Sequence, residues 1–403
     1  MVNPVIARRF AGLTRNTFLL ALSSLFADIS TEMLYPVLPV FLVQTLKASG
    51  SIVGLVDGFA QATQNIVQGF SGALSDKLRR RKPLALLGYA MAALAKPLMG
   101  MATIWQGLFA ARLLDRLGAG TRSAPRDALI AASVDEANRG RAFGLEGLGD
   151  NAGACLGPLL AVALLYSLQV SLRSIFYLAV VPGLLALAMV VFVRERPAAV
   201  ASKVRIDTGM RQFPRGYWKY LLVTALFGLG NSSNAFLIMR TQEVGASLER
   251  TILIYAAFNL MAALVSYPAG SLSDKWGRRN VLLVSFITFF VAYLGFALSR
   301  NVVLIAAMFA LYGLFQGIFR AVGKAFAADL VPEALRASGV GWYSTTVGLL
   351  QLLSSLVAGV LWDRVSHAAV FYWGAAFALG GGIALLTAIP GRHATSGPPE
   401  RSA

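Results

Sequence analysis

Apolar residues in this chain neither alternate nor recur once per helical turn. They come in long, predominantly apolar runs. Twelve runs stand out, at 17–43, 52–73, 84–103, 106–131, 143–166, 174–193, 219–240, 251–271, 281–299, 302–328, 338–362 and 369–390. Most reach the roughly 20 residues that carry a helix across a bilayer. Backbone groups in lipid must pair within their own segment, so the runs are predicted to be helices. A membrane β-barrel would alternate apolar and polar residues in strands of about 10 residues, and that alternation is absent. The first run is too long for a cleaved leader, carries Asp28 and Glu32, and lacks a small-x-small cleavage site. The predicted fold class is an all-α membrane protein of twelve transmembrane helices in two pseudo-symmetric six-helix halves.

Composition agrees and removes other classes. Hydrophobic residues make up 57% of the chain and charged residues 14%. A disordered chain would be apolar-poor. The formal charge of +17 invites a polyanion-binding reading, but a nucleic-acid binder carries its charge on a polar background. One cysteine, Cys155, excludes an intramolecular disulfide framework, and two histidines leave little for a soft-metal site. No metal site and no nucleic-acid partner are expected.

Lysine and arginine positions orient the runs. With the N-terminus in the cytoplasm, the cytoplasmic segments hold 23 basic residues and the other side 6, namely Lys47, Arg173, Arg240, Arg250, Arg300 and Arg364. Both termini are therefore expected in the cytoplasm. The predicted organisation is an N-terminal six-helix half over 1–193, a cytoplasmic linker over 194–218, a C-terminal half over 219–390 and a tail over 391–403.

The chain repeats itself. Gly72-Ala-Leu-Ser-Asp76-Lys-Leu-Arg-Arg80-Arg returns 198 positions later as Gly270-Ser-Leu-Ser-Asp274-Lys-Trp-Gly-Arg278-Arg, each time between the second and third run of its half. Duplicated six-helix halves are a transporter architecture with its site near the midplane. On these residues the chain resembles the major facilitator superfamily, whose hallmark loop reads G-x-L-S-D-K-x-G-R-R; the first copy departs by having Arg79 where the second has Gly277. Gly153-Ala-Cys-Leu-Gly157-Pro158 looks like the G-x-x-x-G-P motif of drug/proton antiporters, although Ala161-Val162 stand where that motif usually ends in paired glycines. The segments 115–127 and 229–234 look like a bacterial branch labelled efflux permeases, some linked to metal or arsenical resistance. The resemblance implies that Asp76 with Arg80 latches the halves in the outward-facing state. Topology-setting charge is the plainer role of the same residues.

Ionisable groups inside spans are costly and point to function. In the fourth span, Arg112, Asp115, Arg116, Arg122, Arg126 and Asp127 fall within roughly 140° of one another on a helical wheel. That face should line a cavity or meet partner charges, while Leu113, Leu114, Leu117, Thr121, Ala124 and Pro125 pack. The 198 offset pairs Arg122 with Arg320 and Arg126 with Lys324. These four cations would form either a cytoplasmic gate with nearby carboxylates or an entry site for anions. Asp28 and Glu32 are four apart, about 6 Å on one helix face. Two carboxylates that close in a low dielectric resist joint ionisation, which suits a proton carrier; a buried salt bridge is the bland alternative. Pro36 and Pro39 can kink the same span. Glu146 and Asp150 share a stripe with Gly153 and Gly157 and should meet a basic residue of a packed neighbour. Asp57 and Lys96 are single charges in the second and third spans, expected either to pair with each other across helices or each to sit near water.

Acids inside spans gather in the first half. The second half offers neutral polar groups as substrate-binding candidates: Asn231, Ser233, Asn234, Asn259, Tyr312, Gln316 and Tyr343. Asn231-Ser-Ser-Asn234 would cover every face of a helix. The expectation is a secondary transporter that uses a proton gradient and no cofactor to export a small molecule. It would act as a monomer, multi-pass in a bacterial inner membrane. The alternatives are transport of an organic anion, phosphorylated metabolite or metal species, and a non-transporting membrane sensor. No Walker sequence or H-E-x-x-H motif is present.

Overall fold

The structure is a computed structural model that describes residues 12–78, 80–135, 138–195, 213–332 and 335–390. Among them the fold is wholly helical: α1 (Arg15–Glu32), α2 (Leu38–Val40), α3 (Gly50–Leu78), α4 (Lys82–Met101), α5 (Trp105–Ala132), α6 (Arg139–Val162), α7 (Leu172–Leu178), α8 (Val180–Val191), α9 (Arg215–Gly228), α10 (Asn234–Glu243), α11 (Leu248–Trp276), α12 (Arg278–Leu298), α13 (Val302–Asp329), α14 (Arg336–Arg364) and α15 (His367–Ala388). The segments Phe41–Thr45 and Ala163–Ser167 continue α2 and α6 as π-helix. Each of the twelve predicted runs coincides with one of these helices or with a broken pair. The predicted linker and tail lie largely outside the described residues.

Eight of the resulting rods are long and apolar enough by themselves to cross a membrane. The other four, α1–α2, α3, α5 and α9–α10, are interrupted or carry polar residues. Those four also hold most of the polar groups described below. The cost of polar residues in lipid is met where they face protein.

Two breaks matter. Pro36 lacks an N–H, and its ring clashes with the carbonyl four residues back, so α1 ends at Glu32 and the chain turns through 33–37. The second break is a correction. The polar cluster does not cover the faces of a helix, because α9 stops at Gly228 and Asn231, Ser232 and Ser233 lie in the turn before α10. The glycines at 228 and 230 are poor helix formers, and Ser233 caps α10 by accepting from the Ala235 amide at 3.0 Å.

We call residues 12–195 and 213–390 the first and second halves, the end carrying loops 77–82 and 275–279 the basic end, and the other the opposite end. The halves meet along two seams, α3 against α14 and α6 against α11. Burial of apolar surface drives nothing between helices in lipid, so close backbone approach and hydrogen bonding carry the association. At the α3–α14 seam a Cβ on Gly54 would strike the Ser355 carbonyl, and one on Gly50 would reach Trp362 at 2.6 Å. The Asp363 carboxylate accepts from the Gly50 and Ser51 amides, each at 2.8 Å, where the helix dipole favours an anion. Toward the basic end, a Cβ on Gly69, Gly140, Gly144, Gly147, Gly270 or Gly341 would stand in open space.

Candidate functional site

The charges of α5 do not line an open channel. Arg112, Asp115, Arg116 and Arg122 are all buried, while Leu113, Leu114 and Leu117 on the other face are only half-buried. The polar face turns into the protein and meets partner charges. Asp115, fully buried, is the hub: Lys96 Nζ of α4 lies at 2.7 Å, Arg112 Nη1 at 3.2 Å and Arg116 Nε at 2.8 Å. Lys96 also donates to Thr31 of α1 at 3.3 Å, and Arg116 to Gln64 of α3 at 2.9 Å. Lys96 and Asp57 do not pair with each other; each goes to α5, Asp57 through Arg112 Nη2 at 3.4 Å.

A second ionic cluster lies nearer the basic end. Arg126 reaches Glu146 at 2.6 Å, Asp127 at 3.0 Å and Asp150 at 3.6 Å, and donates to Ser24 at 2.8 Å. Glu146 and Asp150 therefore meet a basic residue of a packed neighbour, all within the first half. Arg122 has a different partner: its guanidinium sits 4.5 Å from the Tyr89 ring centroid. Arg320 and Lys324 are exposed on α13. Among the described residues, Arg122, Arg320 and Lys324 make no ion pair.

The two acids of α1 differ. Asp28 is half-buried and makes no hydrogen bond or ion pair among the described residues. Glu32, one turn on, accepts from Tyr255 of α11 at 2.9 Å, and Asn259 stands 3.5 Å away while donating to the Ala154 carbonyl of α6 at 2.9 Å. The glycine motif touches both acids. A Cβ on Gly153 would meet the Leu25 carbonyl at 2.6 Å and Asp28 Cβ at 2.8 Å; one on Gly157 would meet the Met33 amide at 2.8 Å and Glu32 Cβ at 3.0 Å. Pro158 follows inside α6. This stripe, with Gly149, seats α6 on the backbone that carries Asp28 and Glu32.

Of the neutral polar candidates, Tyr312 gathers two. Its hydroxyl lies 2.8 Å from Asn234 and 3.5 Å from Asn231. Ser233 instead faces the first half, donating to Asp57 at 2.5 Å. Tyr343 is elsewhere: buried in the second half's core, it stacks on Tyr220 at 5.8 Å, twelve residues along α14 from Ser355 toward the basic end. Gln316 is half-buried on α13 with no hydrogen bond among the described residues.

In the hallmark loops, Arg278 bridges Asp274 at 3.0 Å and Asp329 at 2.9 Å, all within the second half. Gly270 opens onto free space. The side chains of Gly72 and Asp76 lie outside the described residues, and Arg80 is exposed. Among the described residues no cluster of three or more His, Cys, Asp or Glu could hold a metal.

The residues that bind the interface but escaped sequence reasoning are Tyr35, Tyr255 and Ser355. Tyr35 and Tyr255 stack across the halves at 5.4 Å. Their types carry no signal. The repeat register does, since 198 positions separate Tyr35 from Ser233 and Asp57 from Tyr255.

Two helical repeats meeting on glycine-lined seams, with buried ionic groups at the centre, define a polytopic membrane transporter. The chain belongs to the Major Facilitator Superfamily, which it matches over residues 20–239 and 220–402. It is 36% identical over 381 residues to an uncharacterized MFS-type transporter of Methanocaldococcus jannaschii, covering 93% of this chain and 95% of that protein. It is 26% identical to the multidrug resistance protein MdtH of Proteus mirabilis over 280 residues, 68% of each chain. Among solved structures, a point mutant of the nucleoside transporter NupG superposes with a TM-score of 0.79 at 14% identity, covering 93% of this chain and 100% of that one. The protein is a multi-pass secondary transporter and not an enzyme.

Proposed function

We propose that this transporter is a proton-coupled exporter of a small molecule, working by alternating access with its basic end toward the cytoplasm. The observation that carries the reading is the pair on α1. Asp28 is a half-buried carboxylate without a hydrogen-bond or ion-pair partner among the described residues, and one turn away Glu32 is held by Tyr255 from the other half. A proton exchanged at the first changes the charge beside the second, and the second is tied to the relative position of the halves. That links protonation to conformation. The described contacts between the halves run from the midplane to the opposite end, which supports a state open toward the basic end. Asn231, Asn234, Tyr312 and Gln316 supply neutral polar groups for substrate on the second-half side. Export is supported by the glycine-proline motif on α6 and by the likeness to a multidrug resistance protein. Reconstituted vesicles test it: an imposed pH gradient should drive substrate flux that collapses in Asp28→Asn plus Glu32→Gln. Undiminished gradient-driven flux in that double variant would overturn the assignment.

One observation favours a second reading, transport of an organic anion. Arg122, Arg320 and Lys324 lie toward the basic end without ion-pair partners among the described residues. Competition of flux by small carboxylates and phosphate esters, lost in Arg320→Gln plus Lys324→Gln, would establish it over the first. Competition by neutral or cationic compounds alone would dismiss it.

A further inference from the structure

The centre of the closed interface holds a carboxylate that the proposed proton site does not use. Asp57 is 3% exposed, two turns into α3. Three donors converge on it: the Tyr35 hydroxyl at 3.0 Å, the Ser233 hydroxyl at 2.5 Å and Arg112 Nη2 at 3.4 Å. Tyr35 lies in the break of the first span and Ser233 in the break of the seventh, at equivalent positions of the repeat. The mate of Asp57 is Tyr255, whose ring stacks on Tyr35. The repeat thus brings two equivalent pairs to one axis, and only the first half supplies a charge there. Arg112 holds Asp57 at a long distance, shares itself with Asp115, and leaves its Nε without a partner among the described residues. The hydroxyls are the closer partners. The Ser233 amide is fixed in turn by Ser355 Oγ of α14 at 3.1 Å, on the helix that abuts α3 at Gly54 and Gly58.

We propose that Asp57 is the positioning residue that holds the opposite end of the transporter shut, through Ser233. Tyr35 and Arg112 belong to the same half as Asp57 and travel with it. Ser233 does not. Opening the opposite end therefore strips a buried carboxylate of its shortest hydrogen bond before water can replace it, and that loss sets the cost of opening.

Spin labels placed by Leu168→Cys and Arg364→Cys in a Cys155→Ser background read the distance across the opposite end, because both positions are exposed, one in each half. Ser233→Ala removes the bond and the α10 cap but keeps Asp57 with Arg112. Asp57→Asn removes the charge and keeps the cap. The two variants share only the loss of the charge-assisted hydrogen bond from Ser233 to Asp57. Both should raise the opposite-end-open population about tenfold or more, as expected for a hydrogen bond to a charged group. Ser233→Thr, which retains hydroxyl and cap, should return the original distribution. Should Asp57→Asn fail to fold, the Ala and Thr variants decide alone. Unchanged distances in Ser233→Ala, or a shift there that Ser233→Thr does not reverse, would overturn the proposal.

Discussion

Tyr255 donates a hydrogen bond to Glu32 across the two halves at 2.9 Å while its ring stacks on Tyr35 at 5.4 Å. One side chain thus ties the proposed proton site to the seam that must part. Tyr255→Phe keeps the ring and deletes the donor. Gradient-driven flux should fall about tenfold, the scale of one hydrogen bond to a charged group, while the folded yield stays at the wild-type level. Wild-type flux in vesicles would detach Tyr255 from coupling.

Gly157 leaves no room for a side chain between α6 and the Met33 amide. Gly157→Val should push α6 off α1 and cost about 1–3 kcal/mol of stability, the usual penalty of overpacking. Thermal unfolding in detergent should show a lowered midpoint. By contrast, Gly147→Ala should not lower the midpoint and should raise it slightly, since a Cβ at Gly147 meets nothing within 4 Å and alanine is the better helix former.

Asp115 is shared by Lys96, Arg112 and Arg116. Asp115→Asn leaves three buried cations around a neutral amide. Breaking a buried ion pair from one side costs about 3–5 kcal/mol. The variant should therefore be recovered mainly as aggregate in size-exclusion chromatography. Asp127→Asn, whose carboxylate is 40% exposed, should elute as the wild type does.

Glu243 lies at the opposite-end tip of α10, beyond the span. Burial pushes its carboxyl up, but hydrogen bonds from Arg240 and His367 prevail and hold it below the ordinary glutamate value of 4.5. Arg240 Nη1 lies at 2.7 Å and His367 Nδ1 at 2.8 Å. A depressed carboxyl stabilises the fold above its unfolded value and loses that contribution as pH falls through the folded one. The unfolding midpoint should drop as pH is lowered below 4.5, and Glu243→Gln should flatten that part of the profile. A profile identical in both proteins would remove Glu243 from the acid response.

Much of the fold was legible because lipid leaves the backbone few options. Apolar runs alone placed twelve helices, and Pro36 signalled the first break. The second break had no proline to announce it; only the capping of α10 by Ser233 and the glycines before it explain why helix yields to turn. Glu146 and Asp150 could be assigned a basic neighbour from their stripe with Gly153 and Gly157, because small residues dictate close approach. Nothing on that stripe named Arg126.

The sequence by itself determined the number of spans, the bias of basic residues to one end, the internal repeat and the family. Each follows from local chemistry: hydropathy, charge and spacing are properties of contiguous residues. Only the tertiary structure decided that Lys96 belongs to Asp115, that Asp57 faces Ser233, and that the polar face of α5 is buried and not a channel wall. Those pairings depend on which helix faces turn toward one another across the bundle. Contacts such as Asp57 to Ser233, 176 residues apart, are fixed by the packing of all twelve rods and by no property of either segment alone.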